Sequence, residues 1–500
     1  MADNNEIKVN PEEQEEDVSE IVAVRRQKLA DLVAAGKDPF EITKFDRTAR
    51  AEEILNDFEK FDGKTVTVAG RMISRRIMGK ASFGHLLDGG KKLQVYFRRD
   101  DVGEEEYAGF KKWDIGDIIG VTGFVFKTQT GETSVHAQKI VLLSKSLNPL
   151  PEKYHGLTNT DLRYRQRYVD LIVNPEVMDT FAKRSKIISC IRNYMESIGF
   201  IEVETPVLNS IPGGANARPF ITHHNALDID MYMRIATELY LKRLIVGGFD
   251  KVFEIGRIFR NEGMDIKHNP EFTTIELYQA YADYNDMMDI TEGLFRYCAR
   301  EVLHTEDVVY QGQTLHFGQK WPRLTMIDAV KQYTGIDFNE GTVEQLVAQA
   351  KKIGVELEGD VSWGKALYEV FDQKVEEKLI QPVFIIDYPV EVSPLAKRKP
   401  SDKRLTERFE CFMMASEMGN AFSELNDPID QRGRFEQQAR ERAKGDDEAQ
   451  FMDEDFVNAL EYGMPPTGGL GIGIDRMVMM LTDNYSIRDV LLFPTMKPRK

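Results

Sequence analysis

Arg260-Asn261-Glu262 closes a strand-like run, Phe253 to Arg260, and its residue types suggest chemistry. An arginine on a rigid strand suits bidentate neutralisation of a carboxylate or phosphate, and Glu262 could accept from an amine or fix the arginine's orientation. A polar loop, Gly263 to Asn269, leads into Pro270-Glu271-Phe272 and a second strand-like run through Leu277. Much further along, Gly468-Gly469-Leu470-Gly471-Ile472-Gly473-Ile474-Asp475-Arg476 opens an apolar helical pattern, Met477 to Leu481. Glycines there let the backbone approach a ligand closely, and Arg476 at the helix start would meet a phosphate. The spacing is not the G-x-G-x-x-G of a dinucleotide fold, and no G-x-x-x-x-G-K-[ST] occurs in the chain. Taken singly, each segment also fits a surface ion pair or a glycine packing position.

Elements must hold these residues in place. Val177, Phe181, Ile188, Ile191, Met195 and Ile198 recur at helical spacing; Gly199 then ends the helix, and Phe200 to Thr205 reads as a strand stopped by Pro206. Upstream the pattern is different. Thr65 to Ala69, Leu93 to Phe97, Ile118 to Phe126 and Thr133 to Leu143 are short alternating segments, which predicts a small closed barrel over 64–146. Between Lys64 and Arg99 nine cations face only Asp88, with Phe83, Tyr96 and Phe97 among them, a composition that suits single-stranded nucleic acid on an OB-like barrel or a solvated sheet face. Residues 1–19 are acidic and predict a disordered tail, and 20–63 is a helical segment opening with an amphipathic helix over 20–36 that has a basic side. A Pro-biased linker is expected over 147–160, and the remainder, 161–500, mixes helices and strands around a helical insertion at 340–380 that carries no chemical motif.

The 500 residues carry a formal net charge of −17 and three dispersed cysteines, with no C-x-x-C pair. Neither a disulfide framework nor a zinc site is indicated. No long apolar run occurs and the N-terminus lacks a leader pattern, so a cytoplasmic protein with no membrane partner is expected.

In this order, the helix and strand ending at Pro206, the segment Arg260 to Phe272, and the run centred on Gly473-Ile474-Asp475-Arg476 resemble motifs 1, 2 and 3 of the class II aminoacyl-tRNA synthetases. A barrel ahead of the catalytic domain resembles subclass IIb, the Lys, Asp and Asn enzymes. The resemblance covers the chain from about residue 20. It implies an α+β protein: an N-terminal OB-fold β-barrel followed by an antiparallel sheet flanked by helices, not a Rossmann fold. Because motif 1 lies at a subunit interface in this class, it also implies a homodimer.

Within the subclass, Glu238, Glu276, Tyr278 and Glu424 are the candidate side-chain pocket. A carboxylate-rich pocket suits a cationic amino acid, because burying an ammonium requires paired charge, whereas aspartate would be repelled. Pro212-Gly213-Gly214-Ala215, Asn420-Ala421-Phe422-Ser423-Glu424 and Pro465-Pro466-Thr467-Gly468-Gly469-Leu470-Gly471 resemble the bacterial lysyl-tRNA synthetase family, except for Ala421, where that family often has Gly. The resemblance implies that Gly214 and Glu238 hold the α-amino group of lysine, Arg260 and Asn420 its carboxylate, and Tyr278 and Glu424 its ε-ammonium, with Glu276 nearby. It implies ATP contacts from Arg260, Glu262, His268, Asn269, Phe272 and Arg476, and magnesium (Mg2+) on Glu410 and Glu417. Seven residues apart, that pair shares one face if the segment is helical. In the barrel, Phe83, Gln94 and Glu132 are implied to read anticodon bases of tRNA(Lys), not DNA, with His85 a weaker candidate. No nucleophile or obligatory base is among these residues, so direct attack of the lysine carboxylate on the α-phosphorus is expected, assisted by Arg260, Glu262 and Arg476. Two other readings are a paralogue that lysylates a protein, whose family lacks the barrel, and an inactive RNA-binding module.

Overall fold

The computed structural model describes residues 11–151, 157–357, 359, 361–443 and 451–499, without the side chains of 11–18 and Glu441. The first ten residues of the expected tail and 152–156 of the expected linker lie outside that description. The chain divides into two compact units, Met1–Asp179 and Thr180–Lys500.

In the first unit a helix spans Pro11–Ala34, nine residues earlier than expected, because Glu and Gln are good helix formers and acids favour a helix N-terminus. Its basic side is what docks. Arg25 donates to the Ser146 and Asn148 carbonyls at 3.2 and 3.0 Å, and Lys28 pairs with Asp114 at 2.6 Å, while Ile21, Val24 and Val33 stay exposed. The barrel follows as β1 (Thr65–Met78), β2 (Ala81–Asp88), β3 (Lys91–Arg98), β4 (Ile118–Lys127) and β5 (Thr133–Ser144), closed in the order β1-β2-β3-β5-β4. Alternation along each strand sends Val66, Val68, Leu93, Val95, Phe97, Val121 and Val135 inward.

The second unit is built on an eight-stranded sheet. Its strands are numbered together with a small side sheet: β6 (Ile201–Glu202), β7 (Leu208–Asn209), β8 (Ile221–His224), β9 (Ile229–Met233), β10 (Lys251–Phe259), β11 (Glu271–Ala280), β12 (Asp307–Tyr310), β13 (Gln313–His316), β14 (Arg323–Thr325), β15 (Val383–Ile386), β16 (Arg408–Phe412), β17 (Glu417–Ser423) and β18 (Thr467–Gly473). The main sheet runs β14-β15-β16-β17-β18-β11-β10-β6, with β7-β9-β8 and the hairpin β12-β13 apart from it. All main-sheet neighbours are antiparallel except the edge pairs β14·β15 and β6·β10.

Helices Glu176–Ser197, Tyr284–Leu303 and Ile474–Leu481 bury one apolar core together with Phe253, Ile275, Leu277, Leu470 and Ile472 of the sheet. That core takes the inward-facing residues of β10, β11 and β18, so the alternate residues face the other way and are free to line a cavity. The expected insertion consists of Val343–Lys352 and Trp363–Lys374, which with the preceding helix Met326–Thr334 pack Leu346, Leu367, Val370 and Phe371 on Val383, Ile385 and Phe412.

Candidate active site

The two runs around Arg260 pair as a hairpin in which Phe259 lies opposite Glu271 and Tyr278 opposite Val252. The glycine run is not a loop: Gly468 to Gly473 lies in β18, between β11 and β17. Cross-strand register then orders the cavity floor. Glu276, Gly471 and Asn420 form one row, and Tyr278, Gly469 and Phe422 form the next. A cavity of about 450 Å³ over this floor is lined by Gly214, Glu238, Arg260, Glu262, His268, Asn269, Phe272, Glu276, Tyr278, Glu410, Glu417, Asn420, Glu424 and Arg476. The residues proposed from three distant segments therefore share one space.

The cavity carries charged side chains at both ends. At the end nearest the hairpin loop, Arg260 donates its backbone N–H to the Pro270 carbonyl at 2.9 Å and stacks its guanidinium over Phe272, 5.3 Å from the ring centroid. Its Nε is buried with no hydrogen-bond partner among the described residues, a charged donor left to be satisfied. Arg476 lies in the first turn of its helix, where the macrodipole disfavours a cation, so the position serves something other than the helix. It donates to the Glu417 carbonyl at 2.5 Å and sits 3.2 Å from His268 Nε2, while His268 Nδ1 reaches Asp265 at 2.8 Å. Asp475 beside it accepts from the Thr273 N–H at 2.7 Å and pairs with Arg184, tying the helix to β11.

The opposite end is anionic. Glu238 begins the helix Glu238–Val246, Glu276 projects from β11, and Glu424 follows β17. Glu424 is fully buried; neither of its oxygens receives a hydrogen bond of good geometry, and its contact is the Lys242 ammonium. Burial, then repulsion from Glu238, raises Glu276 to about 7. Burial likewise drives Glu424 well above the usual carboxylate range although Lys242 opposes it. The Tyr278 hydroxyl lies 3.4 Å from Glu276. At Gly469 any Cβ would fall 2.0 Å from Glu424 Oε1 and 2.5 Å from the Tyr278 ring, so only glycine keeps this end open. Gly214, at φ +87°, lies against Ala236 and Glu238, where a Cβ would come within 3.0 Å of each.

Several expectations are corrected. Glu410 and Glu417 do not lie on a helix: they stand on the antiparallel hairpin β16–β17, where Phe409 and Cys411 bury in one core and Phe412 in another, as a strand covered on both faces requires. Burial and then Glu417 raise Glu410 to about 7 although Arg408 (2.6 Å) and Tyr388 (2.9 Å) bond to it. Two carboxylates that repel each other at a cavity wall suit a cation held mainly by phosphate oxygens, and no group of three or more His, Cys, Asp or Glu forms a self-sufficient metal cage among the described residues. Glu262 is exposed and makes no ion pair with Arg260 among the described residues, so backbone and Phe272 orient the arginine instead. The Asn269 amide is spent on the Glu271 carbonyl and the Thr495 N–H, bracing the loop.

Two cations were missed. Lys242 forms an i,i+4 pair with Glu238 that Glu238-Leu239-Tyr240-Leu241-Lys242 carries openly, but which reads as a surface helix pair. Arg408 donates to Asn420 Oδ1 at 3.1 Å and to Glu410, tying these two cavity-lining residues together; no sequence signal marked it.

In the barrel, Phe83 and Tyr96 pair across β2 and β3 with ring centroids 4.9 Å apart, and His136 lies 4.9 Å from Tyr96. Glu132 accepts from Gln94 at 2.6 Å and lies 3.1 Å from His85, so Phe83, His85, Gln94 and Glu132 share one face. Phe97 does not belong to it. One residue on from Tyr96, it faces the core and stacks on Phe110 at 4.2 Å. The expected basic footprint also thins, because Arg71 and Arg75 donate to the Gly116 and Phe110 carbonyls.

Residues 66–143 match the family described as OB-fold nucleic acid binding domain, and residues 159–497 match tRNA synthetases class II (D, K and N). A lysine–tRNA ligase of Thermoanaerobacter pseudethanolicus is 58% identical over 485 residues, 97% of each chain. Those of Clostridium botulinum and Clostridium tetani are 58% identical over 489 residues, again 97% of each. With the Arg260–Phe272 segment and the glycine run into Arg476 meeting in one cavity and the match running over most of its length, the chain belongs to the class II tRNA synthetases.

Proposed function

We propose that this protein is a lysine–tRNA ligase that joins lysine to ATP as lysyl-adenylate, releasing pyrophosphate, and then passes lysine to the 3′ end of tRNA(Lys). The observation that carries the choice of amino acid is the buried carboxylate end of the cavity, where Glu238, Glu276 and fully buried Glu424 meet and Lys242 is shared between Glu238 and Glu424. An ammonium supplies what that end lacks, and a carboxylate side chain would add a further charge to it.

In this reading the α-amino group of lysine lies at Gly214 and Glu238, its carboxylate between Arg260 and Asn420, and its ε-ammonium against Glu424 and Tyr278 with Glu276 alongside. ATP takes the cationic end, with adenine on Phe272, the α-phosphate at Arg260, and the tail along His268 to Arg476. Glu262 and Asn269 line that end of the cavity. Glu410 and Glu417 would hold magnesium, which supplies charge neutralisation to the phosphates. Arg260 touches both reacting groups, so it aligns the carboxylate oxygen with the α-phosphorus and meets the charge that develops as the P–O bond to pyrophosphate breaks. No proton needs to move in that step. The barrel face of Phe83, Gln94 and Glu132 would receive anticodon bases by stacking and edge hydrogen bonds.

Exchange of labelled pyrophosphate into ATP tests the reading. Lysine should support it far better than arginine, ornithine, aspartate or asparagine; strong exchange with aspartate or asparagine would overturn the pocket assignment. Charging of tRNA(Lys) then separates this function from lysylation of a protein.

We also infer a homodimer and a cytoplasmic location. Ile221, Leu227 and Ile229, on and between β8 and β9, are 64%, 62% and 41% exposed, apolar residues on both faces and the turn of one hairpin against which a second copy would pack. Sedimentation at micromolar concentration should give twice the 57.3 kDa chain mass. A 57.3 kDa species alone would refute the dimer. No helix among the described residues is long and apolar enough to cross a membrane.

A further inference from the structure

Lys242 is fully buried beside the substrate end of the cavity, yet it is not among the residues that line it. Its ammonium bridges Glu238 Oε1, at 2.5 Å, and Glu424 Oε2, which come from different elements. The rings of Phe422 and Phe456 cover it at 5.5 and 5.8 Å. Burial works against its charge, but Glu238 and Glu424 together hold it protonated. A buried lysine on two carboxylates, walled by two aromatic faces, is an expensive way to fill a core, because an apolar side chain of that volume would cost no desolvation.

We propose that Lys242 is a specificity-determining positioning residue: a resident ammonium that ties Glu238 to Glu424 and so sets the length and charge of the amino acid accepted. The inference rests on the lysine reading above. Two consequences follow from the geometry. Glu238 and Glu424 are the carboxylates assigned to the two ammonium groups of lysine, and one cation bridging both fixes their relative positions, which constrains how far apart the two ammonium groups of a diamino acid must lie. Charge is matched as well. With all three carboxylates ionised, as a bound diamino acid would favour, three carboxylates and one lysine leave this end with an excess of two negative charges, equal to the two ammonium groups of the substrate; the nearby Arg408 is already paired with Glu410.

The test is Lys242→Met, which keeps volume and removes charge, assayed in the full-length protein by lysine- and ornithine-dependent pyrophosphate exchange. The expected result is a lysine KM raised about 100-fold, from the loss of one partner of a buried ion pair, with the ATP KM within about twofold. Preference for lysine over ornithine should fall by about tenfold, since Glu424 is no longer held at depth. A role in packing alone would move neither the KM split nor the preference. If Lys242→Met does not fold, Lys242→Ala refolded in n-propylammonium serves: exchange that depends on the amine, and not on n-propanol, supports the proposal. A folded Lys242→Met protein with the parent's lysine KM and preference overturns it, as does an alanine variant indifferent to the amine. A parent protein with no lysine-dependent exchange would instead overturn the substrate reading, and this proposal with it.

Discussion

Arg260→Ala should lower lysine-dependent pyrophosphate exchange by about a thousandfold, the largest effect expected from a single substitution in this chain. Removing a preorganised donor from developing charge costs about 3 to 4 kcal/mol, and each 1.36 kcal/mol is tenfold in rate. Arg260 is placed for such a loss. In the proposed reading it stands at the strand end between the two substrates' charged groups, and its buried Nε has no hydrogen-bond partner among the described residues. The fall should appear in kcat as well as kcat/KM, because the contact strengthens as the reaction proceeds. Arg260→Lys should recover little, since an ammonium cannot offer a planar fork to two oxygens. Thermal unfolding should barely move, as Arg260 makes no ion pair among the described residues. Lysyl-adenylate formation at the parent rate would show that the active-site assignment is wrong.

Glu424→Gln should raise the lysine KM by about 100- to 1,000-fold while leaving the ATP KM near its parent value, from the 2 to 5 kcal/mol typical of a buried charge pair that loses one partner. The split between the two substrates is the informative part, because ATP is assigned to the far end of the cavity. The protein should remain folded: glutamine keeps the shape, and Lys242 keeps Glu238. The pH dependence can be worked out from the same residues. Glu276 stands at about 7 in the empty cavity, above its unfolded value of 4.5. The stability it contributes is therefore full below pH 4.5 and is lost as pH rises through about 7, where the carboxylate ionises in a buried site. A bound ammonium reverses this by giving the ionised form a partner. The rise in Tm produced by lysine should accordingly grow between pH 6 and 8, and Glu276→Gln should flatten that growth. A lysine-induced shift that shrinks over the same range would contradict the assignment.

The chemical residues of the catalytic unit were legible because they sit in strongly patterned segments. A helix that turns at Gly199, a hairpin carrying Arg260, and glycines running into Arg476 each fix local backbone, and their joint order resembles one class of enzyme. Burial of charged residues, by contrast, is not carried by sequence spacing. Lys242 looks like a surface i,i+4 partner, and Glu410 and Glu417 look like a helical pair, since neither the bulge of β16–β17 nor the aromatic cover over Lys242 is local information. Phe97 was placed with Tyr96 by composition, but period-two alternation sends neighbours to opposite faces.

What the sequence determined by itself is the set of elements and the reaction they serve: hydrophobic periodicity, glycine and proline punctuation, and three motifs whose side chains match phosphates and ammonium groups. What only the tertiary structure decided is which charges meet. The row of Glu276, Gly471 and Asn420, the space that Gly469 leaves over Glu424, and the bridge from Lys242 to two carboxylates all depend on strand register and on packing between separate elements. Electrostatic energy depends on distance and burial, and neither is a property of the chain until it is packed.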